Sequence, residues 1–137
     1  MTTFLSHSTQ ETEAFAANFA KGLTPPKTIC LSGDLGAGKT AFTRGLAKGL
    51  GSTDMVSSPT FTIMHQYDGK YPLYHFDLYR IQEEDELYDI GFEEFLAEGI
   101  AVIEWPDRFR ALLPEDAIQI TLTYGTDENE RIIEVET

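Results

Sequence analysis

The sequence predicts an α/β layer fold with a mixed sheet, and three observations carry that expectation. Short apolar runs alternate with stretches whose apolar residues recur every four positions, so strands interleave with helices. The pattern GxxxxGK[ST] lies where one such run passes into one such stretch. The tail alternates apolar and polar residues around a polar turn, which marks an antiparallel hairpin with one wet face. At 137 residues, 42% of them apolar and 24% charged, the chain has the size of one domain with a full core, spanning 1–137.

The first helix opens at Ser8, with Glu11 at the spacing of a capping box. Phe15, Phe19 and Leu23 fall four apart on one face, so about four turns are expected before Pro25 and Pro26 stop the helix. Thr28 to Leu31 reads as a strand leading into SGDLGAGKT. Phe42, Leu46 and Leu50 line a second helix, and Gly51 is placed to close it in a left-handed cap. Gly45 and Gly49 weaken that helix by about 1 kcal/mol each. Close packing of the helix on a sheet accounts for them.

Residues 51–59 read as a loop. FTIMHQY and PLYHFDLY, parted by Asp68 and Gly69, form a hairpin within 60–77. In IQEEDELYDIGFEEFLAEG, Leu87, Ile90, Phe95 and Leu96 recur at helical intervals, and Gly91 divides the segment in two. Its acids Glu83 to Glu86 form a solvated helix start that suits the macrodipole. Ile100 to Ile103, closed by Glu104 and stopped by Pro106, has the continuous apolarity of a strand buried on both faces.

Charge narrows the function. Residues 1–66 carry Lys21, Lys27, Lys39, Arg44 and Lys48 against Glu11, Glu13, Asp34 and Asp54, a balance of +1, and the formal total is −13. A chain that holds nucleic acid by neutralising phosphates needs the opposite sign, so stable direct binding to DNA or RNA is not expected. No stretch reaches the ~20 apolar residues of a membrane span. MTTFLSHSTQ has neither the basic flank nor the apolar run of a secretory signal. Cys30 is the only cysteine and reads as a small buried hydrophobe. A cytoplasmic protein is the expectation.

An anion must therefore be caught locally, and GDLGAGKT is built for that. Gly33, Gly38, Lys39 and Thr40 fill the phosphate-loop spacing, which arises by accident in roughly one chain in two hundred of this length. Glycines let successive N–H groups turn inward as an anion nest, and the helix N-terminus adds partial positive charge. Lys39 supplies a point charge to the outer phosphates, and the Thr40 hydroxyl is a hard oxygen for Mg2+. Such a loop also needs an acid at the end of a neighbouring strand. Asp77 and Glu104 compete for that part, and Glu104 closes the more apolar run. Thr60 offers a switch-type hydroxyl that senses the γ-phosphate. The guanine signal NKxD occurs nowhere in the chain, which favours adenine or weak selectivity. His65 and His75 read as hydrogen-bonded structural residues, and Trp105 as core or partner interface close to the nucleotide.

GDLGAGKT, SSPTFTI, YHFDLYRI and IEWPD, in this order and at these spacings, closely resemble the bacterial TsaE (YjeE-like) family, over nearly the whole chain from Thr9. The resemblance implies a P-loop NTPase-like three-layer fold, with a mixed, mostly parallel central sheet and a C-terminal antiparallel hairpin. It implies ATP and Mg2+ as ligands and slow hydrolysis in isolation. TsaD- and TsaB-like partners are implied too, in forming the threonylcarbamoyl modification of adenosine 37 in ANN-decoding tRNAs. By position, Gly36, Ala37, Gly38, Lys39, Thr40 and Ala41 match the phosphate-binding loop, and Thr40 and Glu104 match the magnesium ligands. Asp77 matches the family's essential acid, Thr60 its switch threonine and Trp105 the tryptophan after the metal-linked glutamate. Thr9 and Thr12 align with the adenosine side. Ala41 stands where many relatives carry a second threonine, which touches only a secondary phosphate contact.

Two other classes compete. A small-molecule kinase on the same loop needs an acceptor pocket, often clamped by basic residues, and Arg80, Arg108, Arg110 and Arg131 form no cluster in sequence. A binding module would hold its nucleotide as structure alone.

Overall fold

The computed structural model describes residues 1–34, 36–59 and 62–137. The elements in order are β1 (Thr2–Ser6), α1 (Thr9–Ala20), β2 (Lys27–Gly33), α2 (Lys39–Gly49), β3 (Met64–Tyr67), β4 (Leu73–Asp77), α3 (Glu84–Asp89), α4 (Phe92–Glu98), β5 (Ile100–Glu104), β6 (Ile118–Tyr124) and β7 (Arg131–Glu136), with a 3₁₀ turn at Asp107–Leu112. The seven strands form one sheet in the order β1-β7-β6-β2-β5-β4-β3. Its centre, β6-β2-β5-β4, is parallel, and the pairs β1–β7, β6–β7 and β3–β4 at its flanks are antiparallel.

The period-two pattern of the central strands sorts their side chains into two cores. Ile29, Leu31, Leu73, Ile100 and Val102 meet Ala16, Ala20, Phe42 and Leu46 of α1 and α2 on one face. Tyr74, Phe76, Ala101 and Ile103 meet Leu87, Phe92, Leu96 and Phe109 on the other. Every residue of β4 and β5 is buried, as the continuous apolarity of Ile100–Ile103 predicts. The C-terminal hairpin buries Ile118, Ile120 and Leu122 and leaves the alternate residues of β6 partly wet. Gly91 separates α3 from α4 at φ +79°, and Gly51 follows α2 at φ +81°, both as expected.

The structure corrects several local readings. The helix α1 is shorter than four turns, ends at Ala20 and leaves Leu23 outside. Its buried line is Thr12, Ala16 and Ala20 rather than the phenylalanines, because α2 presses directly on those small side chains. Gly45 and Gly49 serve that contact and not the sheet: a Cβ on Gly45 would sit 2.3 Å from the Glu13 carbonyl oxygen, and one on Gly49 2.3 Å from that of Ala17. The capping box is half formed. Ser8 Oγ accepts from the Glu11 N–H at 3.1 Å, whereas the Glu11 carboxylate accepts from the His7 N–H at 2.9 Å, one residue further back. Strand β3 begins only at Met64, after Ile63 at φ +69°. The edge strand β1 and the 3₁₀ turn were not anticipated.

Candidate functional site

Strand β2 and helix α2 form the strand-to-helix unit that the GxxxxGK[ST] spacing requires. Gly33 is needed because the chain passes β6 closely: a Cβ there would meet the Leu122 carbonyl oxygen at 2.7 Å. Gly38 caps α2 at φ +103°, a conformation that disfavours any side chain. Among the described residues no side chain caps this helix end, and the first intrahelical bond runs from Phe42 N–H to Gly38 O at 2.9 Å. The N–H groups of the first turn are thus left for an outside acceptor, with the helix dipole behind them. Ala37 contributes a buried methyl group, and its own N–H goes to Asp34 O at 3.0 Å.

Opposite the helix mouth lie the ends of β4 and β5. Parallel pairing sets Asp77 directly against Glu104, and both carboxylates are nearly buried. A cleft of about 360 Å3 is lined by Gly36, Gly38, Lys39, Thr40, Ser58, Asp77, Glu104 and Trp105. Both acids that competed from sequence therefore occupy it. The Lys39 ammonium lies 3.7 Å from Glu104 Oε1 and 4.2 Å from the centroid of the Trp105 ring, a cation–π contact. Trp105 is held at φ +58°, a left-handed conformation rare outside glycine and common where a site imposes strain. Asp77 Oδ1 accepts from the Tyr79 N–H at 3.0 Å, and the Tyr79 ring packs against Trp105 at 5.1 Å.

The remaining candidates separate. Thr9 and Thr12 line a second, smaller cavity of about 90 Å3 on the other side of the loop, with Gly36, Gly38 and Ala41. Thr9 is exposed, whereas Thr12 is buried and hydrogen-bonded to Ser6 Oγ at 2.7 Å. Thr60 lies outside the described residues. His65 faces the loop, with Nδ1 3.2 Å from both Ser57 O and Tyr67 Oη. His75 is wholly buried and bonds Glu104 Oε2 at 2.5 Å, a hydrogen-bonded histidine as expected but one tied to a site residue.

Sequence reasoning missed Ser58, Asn129 and Arg131. The Arg131 guanidinium donates to Gly36 O at 3.3 Å and stacks on Tyr124 at 4.6 Å, so the terminal hairpin braces the glycine loop. Nothing local in the sequence signals this, because the contact joins residues 95 positions apart.

The donor set suits magnesium when a phosphate is present. A hydroxyl and two carboxylates in one cleft are hard oxygen ligands, and magnesium usually takes one or two of them and completes its shell with water and phosphate. Among the described residues no group of three or more His, Cys, Asp or Glu side chains is assembled to hold a metal unaided.

A parallel sheet core between helical layers, with a glycine loop running from its central strand into a helix whose mouth faces strand-end acids, defines a protein of the P-loop NTPase-like class. Within that class, the family model of threonylcarbamoyl adenosine biosynthesis protein TsaE matches residues 6–133. The chain belongs to the TsaE family. It is 43% identical over 125 residues to the tRNA threonylcarbamoyladenosine biosynthesis protein TsaE of Bacillus subtilis, covering 90% of this chain and 78% of that protein. It is 39% identical over 129 residues to the protein of the same name from Treponema pallidum, covering 93% and 96%. The crystal structure of Bacillus subtilis YdiB superposes with a TM-score of 0.80 at 38% identity, covering 96% of this chain and 82% of that one. Among the described residues no helix is long and apolar enough to cross a membrane.

Proposed function

We propose that this chain binds and hydrolyses Mg-ATP as the ATPase subunit of tRNA threonylcarbamoyladenosine formation, associating with TsaD- and TsaB-like proteins and resetting their complex as the nucleotide turns over. The observation that carries the reading is the cleft itself, in which Lys39 and Thr40 at the mouth of α2 face Asp77 and Glu104 on adjacent strand ends. The names of the relatives supply the pathway.

Each residue has a part that its position allows. The first-turn N–H groups of α2 and the Lys39 ammonium hold the phosphates, and Lys39 leaves its resting contact with Glu104 to do so. Thr40 and Glu104 would hold a magnesium ion, which would neutralise charge on the phosphates. Asp77 orients the attacking water by accepting its hydrogen bond, while the Tyr79 N–H keeps one carboxylate oxygen in place. Trp105 covers the Lys39 side of the cleft. The acidic surface suits docking on proteins rather than on tRNA.

Calorimetric titration with Mg-ATP of the wild type and of Lys39→Ala tests the site, and ATPase assays with and without TsaD and TsaB test the role. Lys39→Ala abolishes binding, and the partners raise turnover. Equal affinity in the two proteins would overturn the reading.

A further inference from the structure

In the parallel register of β4 and β5, His75 lies opposite Val102, so Glu104, two residues further along, is its diagonal neighbour on the same face of the sheet. The imidazole has no exposed surface. Its Nε2 meets Glu104 Oε2 at 2.5 Å, and its Nδ1, also buried, has no hydrogen-bond partner among the described residues.

A carboxylate oxygen accepts, so the contact is an Nε2–H donating to Glu104 Oε2. That donor occupies one oxygen of the buried carboxylate from beneath the cleft, and an aliphatic residue at position 75 would leave that oxygen without it.

We infer that His75 is the positioning residue of the metal acid: it anchors Glu104 by Oε2, so that Oε1 is presented toward Lys39 and the cleft. The inference rests on the nucleotide-binding reading above and extends it beneath the floor of the cleft. Hydrogen bonds to a ligating carboxylate set its orientation, and their loss typically costs about 10- to 100-fold in metal affinity.

The test compares wild type, His75→Leu and His75→Gln, the last of which returns an amide donor near the place of Nε2. ATP binding is measured by calorimetry across a magnesium titration and again in EDTA. In His75→Leu the magnesium concentration at half effect rises about 10- to 100-fold. Its metal-free ATP affinity stays within about threefold of wild type, and His75→Gln recovers most of the loss. An unchanged magnesium dependence in a folded His75→Leu overturns the inference. A wild type with no magnesium-dependent ATP binding overturns instead the reading beneath it. Should His75→Leu fail to fold, the 15N resonances of the wild-type imidazole decide: an Nε2 that carries hydrogen supports the anchor, and a bare Nε2 overturns it.

Discussion

Asp77 and Glu104 are direct partners across the parallel β4–β5 pair, each the last residue of its strand, yet their neighbours differ. Glu104 is tied to Lys39 and His75, whereas Asp77 Oδ1 receives the Tyr79 N–H in the turn that follows its strand. In the proposed function this pairing gives Glu104, beside Lys39, to the metal and Asp77 to the water.

Asp77→Asn separates the two tasks, because an amide oxygen still accepts from Tyr79 and the turn survives. We expect single-turnover hydrolysis of ATP to fall by roughly 10²–10⁴-fold, the usual worth of a positioned base. The calorimetric affinity for Mg-ATP stays within a few-fold of wild type. A parallel loss of affinity would assign Asp77 to the metal instead.

Trp105 is the only tryptophan in the chain, and the Lys39 ammonium lies over its ring. Moving that cation to a phosphate changes the electrostatic environment of the indole. Mg-ATP titrated into the wild type therefore gives a saturable change in tryptophan emission, with the same midpoint as calorimetry. In Lys39→Met the change is absent.

Much of this site was legible in the sequence because its signals are local. The loop spacing, the four-residue stripe of Phe42, Leu46 and Leu50, and the apolar run closed by Glu104 each need only neighbouring residues to be read. What escaped depends on which strands lie side by side. The link from His75 to Glu104 requires β4 and β5 to be parallel neighbours in one register, and the brace from Arg131 to Gly36 requires the last hairpin to pack beside β2. Strand β1 escaped for a related reason: it is a short edge strand whose partner β7 is the last element of the chain. The pair Gly45 and Gly49 announced a close approach but not its partner, since glycine spacing carries no record of the opposing surface.

That partner makes the helix pair a sensitive point. Alanine at Gly45 would gain about 1 kcal/mol of helix propensity. Its Cβ, however, would lie 2.3 Å from Glu13 O and 2.7 Å from Ala16 Cβ, against backbone that cannot step aside. Overpacking of this kind costs typically 1–3 kcal/mol. Gly45→Ala and Gly49→Ala are each expected to be destabilised by up to about 2 kcal/mol in urea unfolding, the difference between those effects. Gly22→Ala, whose nearest atom would be 3.8 Å away, stays within about 0.5 kcal/mol of wild type.

Glu13 ties α1 to α2 through Lys48 at 2.8 Å and Arg44 at 3.3 Å. Burial alone would raise its carboxyl, but the Lys48 hydrogen bond and charge, with Arg44 behind them, hold it below the ordinary glutamate value. A carboxyl lowered in the folded state stabilises the fold above its unfolded value, and that stabilisation is lost as pH falls through the folded value. Wild type should therefore exceed Glu13→Gln in urea stability at pH 7, by no more than about 1 kcal/mol for a pair this near the surface. The gap closes as the solution is acidified below the ordinary glutamate range, and at pH 7 it narrows in high salt. A gap that is constant across the acid range would mean that Glu13 acts through packing rather than charge.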